Sequence, residues 1–221
     1  MRKMITVKIN GEERQYPQGA TYEDVTNDYQ QEYENLIALA ARDGKIRELF
    51  KKLTRDCEVT FFTLKDDVGN KTYVRSATML FLKAVFDVYG REAAQSCRVE
   101  FAIGNGSYIS PKEKINATEE NAAKIRNRMR ELVEAKTPFL KRSYSLDNAM
   151  ELFRKEGMKD KEKLFRYRRG SFVNIYEMDG YYDYYYGYML PNAGYVKWFD
   201  VIAYEDGFML LLPDEKRSYT C

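Results

Sequence analysis

The sequence predicts an α+β chain of two domains: a small sheet packed on one helix, then a larger domain of long helices with a large antiparallel sheet. Three observations carry this. Residues 1–65 hold two hairpin patterns around one helix start. From Thr72 to Tyr89 the apolar period changes from 2 to 3.6. Residues 172–212 then alternate apolar and polar side chains between glycine-containing turns.

The 221 residues, 44% hydrophobic and 32% charged, have the composition of a folded chain that can bury a core. No apolar run approaches a membrane span, and Met1-Arg-Lys-Met-Ile-Thr-Val starts without a signal-peptide core, so a cytoplasmic protein with no membrane partner is expected. The three cysteines, Cys57, Cys97 and Cys221, are widely spaced, which supports neither a disulfide framework nor a cysteine zinc cluster. Histidine is absent, so Ser-His and Cys-His nucleophile pairs and H-E-x-x-H zinc chemistry are excluded. The net charge of +2 hides a segregation: residues 111–170 carry 17 Lys and Arg against 10 Asp and Glu, and residues 171–221 carry 3 against 8. Mutual packing or separate solvated faces account for this more simply than an anion-binding surface.

Taken in order, Ile5, Val7 and Ile9 alternate with polar residues, Asn10-Gly11 supplies the turn, and Arg14-Gln15-Tyr16 returns to Pro17. Thr21 is the N-cap of a helix with Glu23 and Asp24 in its first turn. Residues 33–53 support two readings, because Leu36-Ile-Ala-Leu-Ala-Ala favours helix while Asp43-Gly44 and the residues after it form a hairpin pattern. Glu58 to Thr63 closes the sheet as a strand, and two hairpins around a short helix make a compact β-grasp arrangement. The polar Lys65 to Lys71 is the expected domain boundary. In the helix from Thr72, residues Ala77, Leu80, Phe81, Ala84, Val85 and Val88 share one face. Arg75, Met79, Leu82 and Phe86 lie together opposite, so the helix is covered on two sides or borders a pocket.

Strands are expected at Val99 to Ile103 and Ser107 to Ile109 around Asn105-Gly106, followed by a helix from Thr118 with Ala122, Ile125, Met129, Leu132 and Val133 inward. The outer face of that helix carries Lys124, Arg126, Arg128 and Arg130 interleaved with Glu131 and Glu134, a pattern that favours intrahelical pairing over RNA binding. Phe139 to Tyr144 forms a strand, Ser145 caps a helix ending at Gly157, and a basic connector runs to Gly170. The meander is Phe172 to Glu177, Tyr181 to Leu190, Tyr195 to Phe199 and Phe208 to Leu212.

These residues suggest a family. Ile5-Thr-Val-Lys-Ile-Asn-Gly and Gly19-Ala-Thr-Tyr-Glu-Asp-Val resemble the TGS module at the front of threonyl-tRNA synthetases. Arg75-Ser-Ala-Thr-Met, Phe101-Ala-Ile-Gly-Asn-Gly-Ser-Tyr, Arg128-Met-Arg-Glu-Leu-Val-Glu and Asp183-Tyr-Tyr-Tyr-Gly-Tyr-Met-Leu-Pro resemble the threonyl/alanyl editing domain that follows it. The resemblance implies a TGS-like β-grasp domain over 1–65 and an editing-like α/β domain with a large antiparallel sheet over 66–221. In that family an H-x-x-x-H and a C-x-x-x-H converge on one cleft. Here those positions fall on Arg75 and Met79, and on Tyr185 and Met189, which are poor zinc ligands and supply no imidazole for deacylation.

The altered module also resembles one found in uridine kinase-like nucleoside kinases, through Asp183-Tyr-Tyr-Tyr-Gly-Tyr, Pro191-Asn-Ala-Gly-Tyr and Tyr204-Glu-Asp-Gly-Phe-Met-Leu-Leu-Leu-Pro213. No G-x-x-x-x-G-K-[ST] occurs in the chain, so the kinase domain is expected in a C-terminal partner region, with ATP and magnesium belonging there and no cofactor or metal here. The main expectation is therefore a catalytically silent accessory module of such a kinase that binds a nucleotide or RNA. The alternatives are a synthetase-related editing domain that hydrolyses mischarged aminoacyl-tRNA, and a structural unit that forms a homo-oligomer. The expected ligand-binding residues are Arg75, Met79, Asp183, Tyr185 and Met189. As a strand, 181–188 sets Tyr181, Asp183, Tyr185 and Gly187 on one face, and Asp183 is the acidic partner expected for Arg75.

Overall fold

The computed structural model describes residues 3–112, 114–166 and 170–213. Two compact units divide the described residues: 3–76 with Gly187–Pro191 and Pro213, and Ala77–Tyr186 with Asn192–Leu212.

In the first unit β1 (Met4–Ile9) and β2 (Glu12–Pro17) form the expected antiparallel hairpin, turned by Asn10 at φ 51 and Gly11 at φ 88. Helix α1 (Tyr22–Tyr29) starts at Thr21 with a reciprocal cap: the Asp24 amide donates to Thr21 Oγ1 at 3.1 Å, and the Thr21 amide donates to Asp24 Oδ2 at 2.7 Å. Thr21→Ala is expected to cost about 1 kcal/mol, read as a lower urea midpoint. The inner face of α1 buries Tyr22, Val25 and Tyr29, with the Tyr29 ring 5.9 Å from that of Phe61.

The ambiguous segment resolves as strands: β3 (Ile37–Arg42) and β4 (Lys45–Glu48) flank Asp43-Gly44, and β5 (Cys57–Thr63) closes the sheet. The order is β2-β1-β5-β3-β4, with β5 parallel to β1 and antiparallel to β3. Ile37 to Ala41 are all buried, so tertiary pairing on both sides of β3 outweighs the helix propensity of its leucine and alanines.

Most of the polar stretch 65–71, the expected domain boundary, forms the start of helix α2 (Asp67–Tyr89). Asp66 makes the turn compact, its Oδ2 accepting from the Thr63 amide at 2.7 Å and from Thr63 Oγ1 at 3.1 Å. From Ala77 to Val85 every residue of α2 is buried, the two-sided cover expected, although Val88 is 37% exposed. Lys83, also buried, is satisfied inside the second unit: its Nζ lies 2.7 Å from Asp87 Oδ1 and donates to the Asp179 carbonyl at 2.7 Å.

The remaining elements of the second unit are α3 (Arg91–Ser96), β6 (Arg98–Ile103), β7 (Gly106–Ser110), α4 (Glu119–Glu134), β8 (Leu140–Ser145), α5 (Leu146–Lys155), α6 (Lys159–Arg166), β9 (Phe172–Met178), β10 (Tyr181–Asp183), β11 (Asp200–Tyr204) and β12 (Gly207–Leu211). Thr118 and Ser145 cap α4 and α5 as expected, and Gly157 takes φ 74 just past the end of α5. The sheet expectation needs correction. Instead of one large antiparallel sheet, the described residues of this unit form two, ordered β11-β12-β7-β6 and β10-β9-β8. The expected strand Tyr181 to Leu190 ends at Asp183, and the expected strand Tyr195 to Phe199 is a short 3₁₀ turn at Ala193–Tyr195 followed by β11.

The cause is side-chain capture of backbone. The Tyr184 amide donates to Asp183 Oδ1 at 2.6 Å, and in the first unit the Met189 amide donates to Glu48 Oε1 at 3.2 Å and the Leu190 amide to Ser76 Oγ at 3.0 Å. Groups bonded in this way are not free for a ladder. The basic connector is corrected as well: it contains α6, which packs through Phe165 on Phe153 of α5, ring centroids 5.2 Å apart, while its residues 167–169 lie outside the described set. Among the described residues no helix is long and apolar enough to cross a membrane.

Candidate functional site

A cavity of about 320 Å³ opens in the second unit. One wall comes from the end of α3 and the start of β6, with Gln95, Cys97 and Arg98, and another from the corner between α5 and α6, with Gly157 to Lys161. Tyr181 and Asp183 of β10 face both.

Asp183 is 4% exposed and heavily coordinated. Its Oδ2 accepts from the Tyr181 hydroxyl at 3.3 Å, its Oδ1 accepts from the Tyr184 amide at 2.6 Å, and Lys161 Nζ contacts Oδ1. A buried carboxylate needs such donors, since an unpaired one costs several kcal/mol on the order of 3–5. Burial, with the Arg98 cation nearby, holds the Lys161 ammonium down at about 7, while Asp160 pulls the other way. The contact with Asp183 also opposes that shift. Burial pushes the Cys97 thiol up to about 12 and raises the Tyr181 phenol well above its ordinary range, so both keep their protons near neutrality. Lys161, by contrast, is held down toward neutrality. The arrangement is an amine that can be neutral at physiological pH, oriented by a fixed carboxylate, on the wall of a cavity that could admit a small polar substrate.

The five residues expected to line a ligand cleft are distributed as follows. Asp183 lies in the cavity just described. Met79 is fully buried in the second unit. Tyr185, in the same unit, stands 6.5 Å from the Tyr176 ring, and its buried hydroxyl has no hydrogen-bond partner among the described residues. Arg75 and Met189 belong to the first unit. There Arg75 Nη1 donates to the Tyr188 carbonyl at 2.7 Å, and Met189 Sδ sits 4.0 Å from Ser76 Oγ. Gly187, at φ 127, is required beneath that guanidinium, because a Cβ would lie 2.6 Å from Arg75 Cζ. The acidic group expected to serve Arg75 is itself paired with Lys161.

Lys161 and Arg98 were not among the expected residues. The available signal was the spacing Met158, Lys161, Glu162, Phe165, which is helical and places Lys161 on the side of the buried Phe165. Two of the α4 cations pair within the helix as expected, Lys124 with Glu120 at 2.7 Å and Arg128 with Glu131 at 2.7 Å, whereas Arg126 pairs outside it with Asp200 and Arg128 also reaches Asp87. Cys57 is half-buried, Cys97 lines the cavity, and Cys221 lies outside the described residues. Among the described residues no group of three or more Cys, Asp or Glu is placed to hold a metal ion.

No family model matches the chain. It is similar to the threonine–tRNA ligase of Thermotoga maritima, 28% identical over 205 residues, covering 90% of this chain and 30% of the relative. It is likewise similar to that of Porphyromonas gingivalis strain W83, 24% identical over 215 residues, covering 95% and 32%, and to that of Symbiobacterium thermophilum, 25% identical over 205 residues, covering 92% and 31%. The chain spans about a third of the length of these relatives. These similarities correct the main functional expectation. The resemblance to a uridine kinase-like accessory module, with its silent role and its ATP-dependent C-terminal kinase domain, gives way to similarity with threonine–tRNA ligases along nearly the whole chain.

Proposed function

We propose that this chain is the TGS-like and editing-like region of a protein related to threonine–tRNA ligases, and that its second unit hydrolyses mischarged aminoacyl-tRNA. In this reading residues 1–65 are the TGS-like β-grasp domain and residues 66–221 the editing-like domain. The observation that carries the reading is the Lys161–Asp183 pair on the wall of the 320 Å³ cavity. Similarity along 90–95% of the chain to threonine–tRNA ligases supports the substrate class.

The chemistry is ester hydrolysis. Neutral Lys161 takes a proton from the attacking water as the new carbon–oxygen bond forms; the resulting ammonium returns it to the departing ribose oxygen as the ester bond breaks. Asp183, held by Tyr181 and the Tyr184 amide, orients the amine and stabilises its charged form. Both proton transfers run through these two side chains. Asp183 is the member of the expected ligand set that it uses.

The direct experiment follows loss of the aminoacyl group from threonine tRNA charged with serine, which is one methyl smaller than threonine and so the amino acid a binding pocket rejects least well. The purified chain should release serine faster than a buffer control and faster than it releases threonine; equal rates with and without protein reject the proposal. The rate should also rise as pH increases through about 7, because the base is the neutral amine and acid converts Lys161 to the ammonium. In Lys161→Arg that rise should disappear.

A further inference from the structure

Arg98 opens β6 on one wall of the cavity, while Asp160 and Lys161 are consecutive in the first turn of α6. The two walls are joined at three places. Arg98 Nη2 contacts Asp160 Oδ2, Gln95 Nε2 donates to the Glu156 carbonyl, and Arg91 Nη2 lies 3.1 Å from Glu156 Oε2. Gly157 makes this approach possible, since a Cβ there would sit 3.1 Å from Gln95 Oε1. Lys161 follows directly on Asp160, the α6 end of the first of these ties.

We infer that the Arg98–Asp160 ion pair is a positioning element for Lys161, fixing the first turn of α6 so that the amine meets Asp183 and holding two opposite charges beside that amine. The inference rests on the hydrolytic reading for its purpose, but its test does not use hydrolysis. Arg98 disfavours the ammonium and Asp160 favours it, so the two halves of the pair act on Lys161 with opposite signs. The other charged or titratable groups around the cavity leave this contrast intact. Asp183 and Tyr181 approach from β10 and Cys97 from the end of α3, and none of them changes in the variants below. Glu92 and Lys114 lie 3.7 Å apart and largely offset each other, and Lys159 is exposed.

The test uses the full chain and trace acetic anhydride over a series of pH values, with acetylation of the Lys161 peptide read by mass spectrometry. Lys161, 29% exposed at its side chain, is within reach of the reagent. Arg98→Gln is expected to raise the midpoint by about one unit, lowering reactivity at neutral pH about fivefold. Asp160→Asn is expected to lower the midpoint, and Arg98→Lys, which keeps the cation, to stay near the parent. Both sites are well exposed, at 42% and 68% of their side chains, so the variants should fold, and circular dichroism checks that they do. Opposite shifts uphold the inference even where no tRNA is hydrolysed. Shifts in the same direction, or no shift in either variant, overturn it even where hydrolysis is found.

Discussion

Asp183→Asn and Lys161→Met should each slow hydrolysis of serine-charged threonine tRNA about a hundredfold, and the double variant should be no slower than either. General acid–base catalysis contributes roughly 10²- to 10⁴-fold, and groups that act as one unit are not additive. The two substitutions fail in different ways. Lys161→Met removes the proton acceptor and leaves Asp183 with the Tyr181 hydroxyl and the Tyr184 amide, so the fold should survive. Asp183→Asn keeps the shape but removes the charge that orients the amine and stabilises its protonated form. The pH profile separates these: Asp183→Asn should keep a dependence on the amine, displaced to lower pH, while Lys161→Met should be flat. The measurement is single-turnover release of labelled serine. Parent-like rates in the double variant would remove the pair from the chemistry.

The parts of the fold that were legible in the sequence are those set by chemistry at fixed short offsets. Asn10-Gly11 and Asp43-Gly44 mark hairpins because their positive φ values suit few other residues. Thr21, Thr118 and Ser145 mark helix starts because each hydroxyl accepts from the amide three residues on. What was not legible depends on partners far along the chain. Ile37 to Ala41 reads as helix or strand until β4 and β5 are placed on either side of it. The tyrosine run has the alternation of a strand, and it is the capture of backbone amides by Asp183, Glu48 and Ser76 that ends it after three residues. The site divides in the same way. Asp183 stood out as the acidic partner expected for Arg75 on the tyrosine strand, but Lys161 sat in a stretch that read as a basic connector. The two meet only in the folded chain, where β9 and its antiparallel partner β10 separate Lys161 of α6 from Asp183 in sequence.

Gly69→Ala should lower the melting temperature of the chain by about 6–12 °C, against what helix propensity alone would say. Gly69 lies in α2 with ordinary helical φ, where alanine is favoured by about 1 kcal/mol. The methyl group, however, would be built 1.9 Å from the Thr63 carbonyl oxygen and 2.8 Å from its carbon. Those are backbone atoms and cannot swing aside. Thr63 is held by the Asp66 carboxylate, and the next amide, Leu64, donates to the Leu36 carbonyl at 3.0 Å with the Leu64 side chain fully buried. Relief therefore requires the helix to move off the end of β5, at about 3 kcal/mol for overpacking of this kind, which in a chain of this size is about 2–4 °C per kcal/mol. Gly11→Ala supplies the contrast. Nothing lies within 4 Å of a Cβ at Gly11, so only its φ of 88 is penalised, at about 1–2 kcal/mol. Thermal unfolding followed by circular dichroism compares the two. A Gly69→Ala chain as stable as the parent would mean that the close passage of α2 over Thr63 does not constrain this turn.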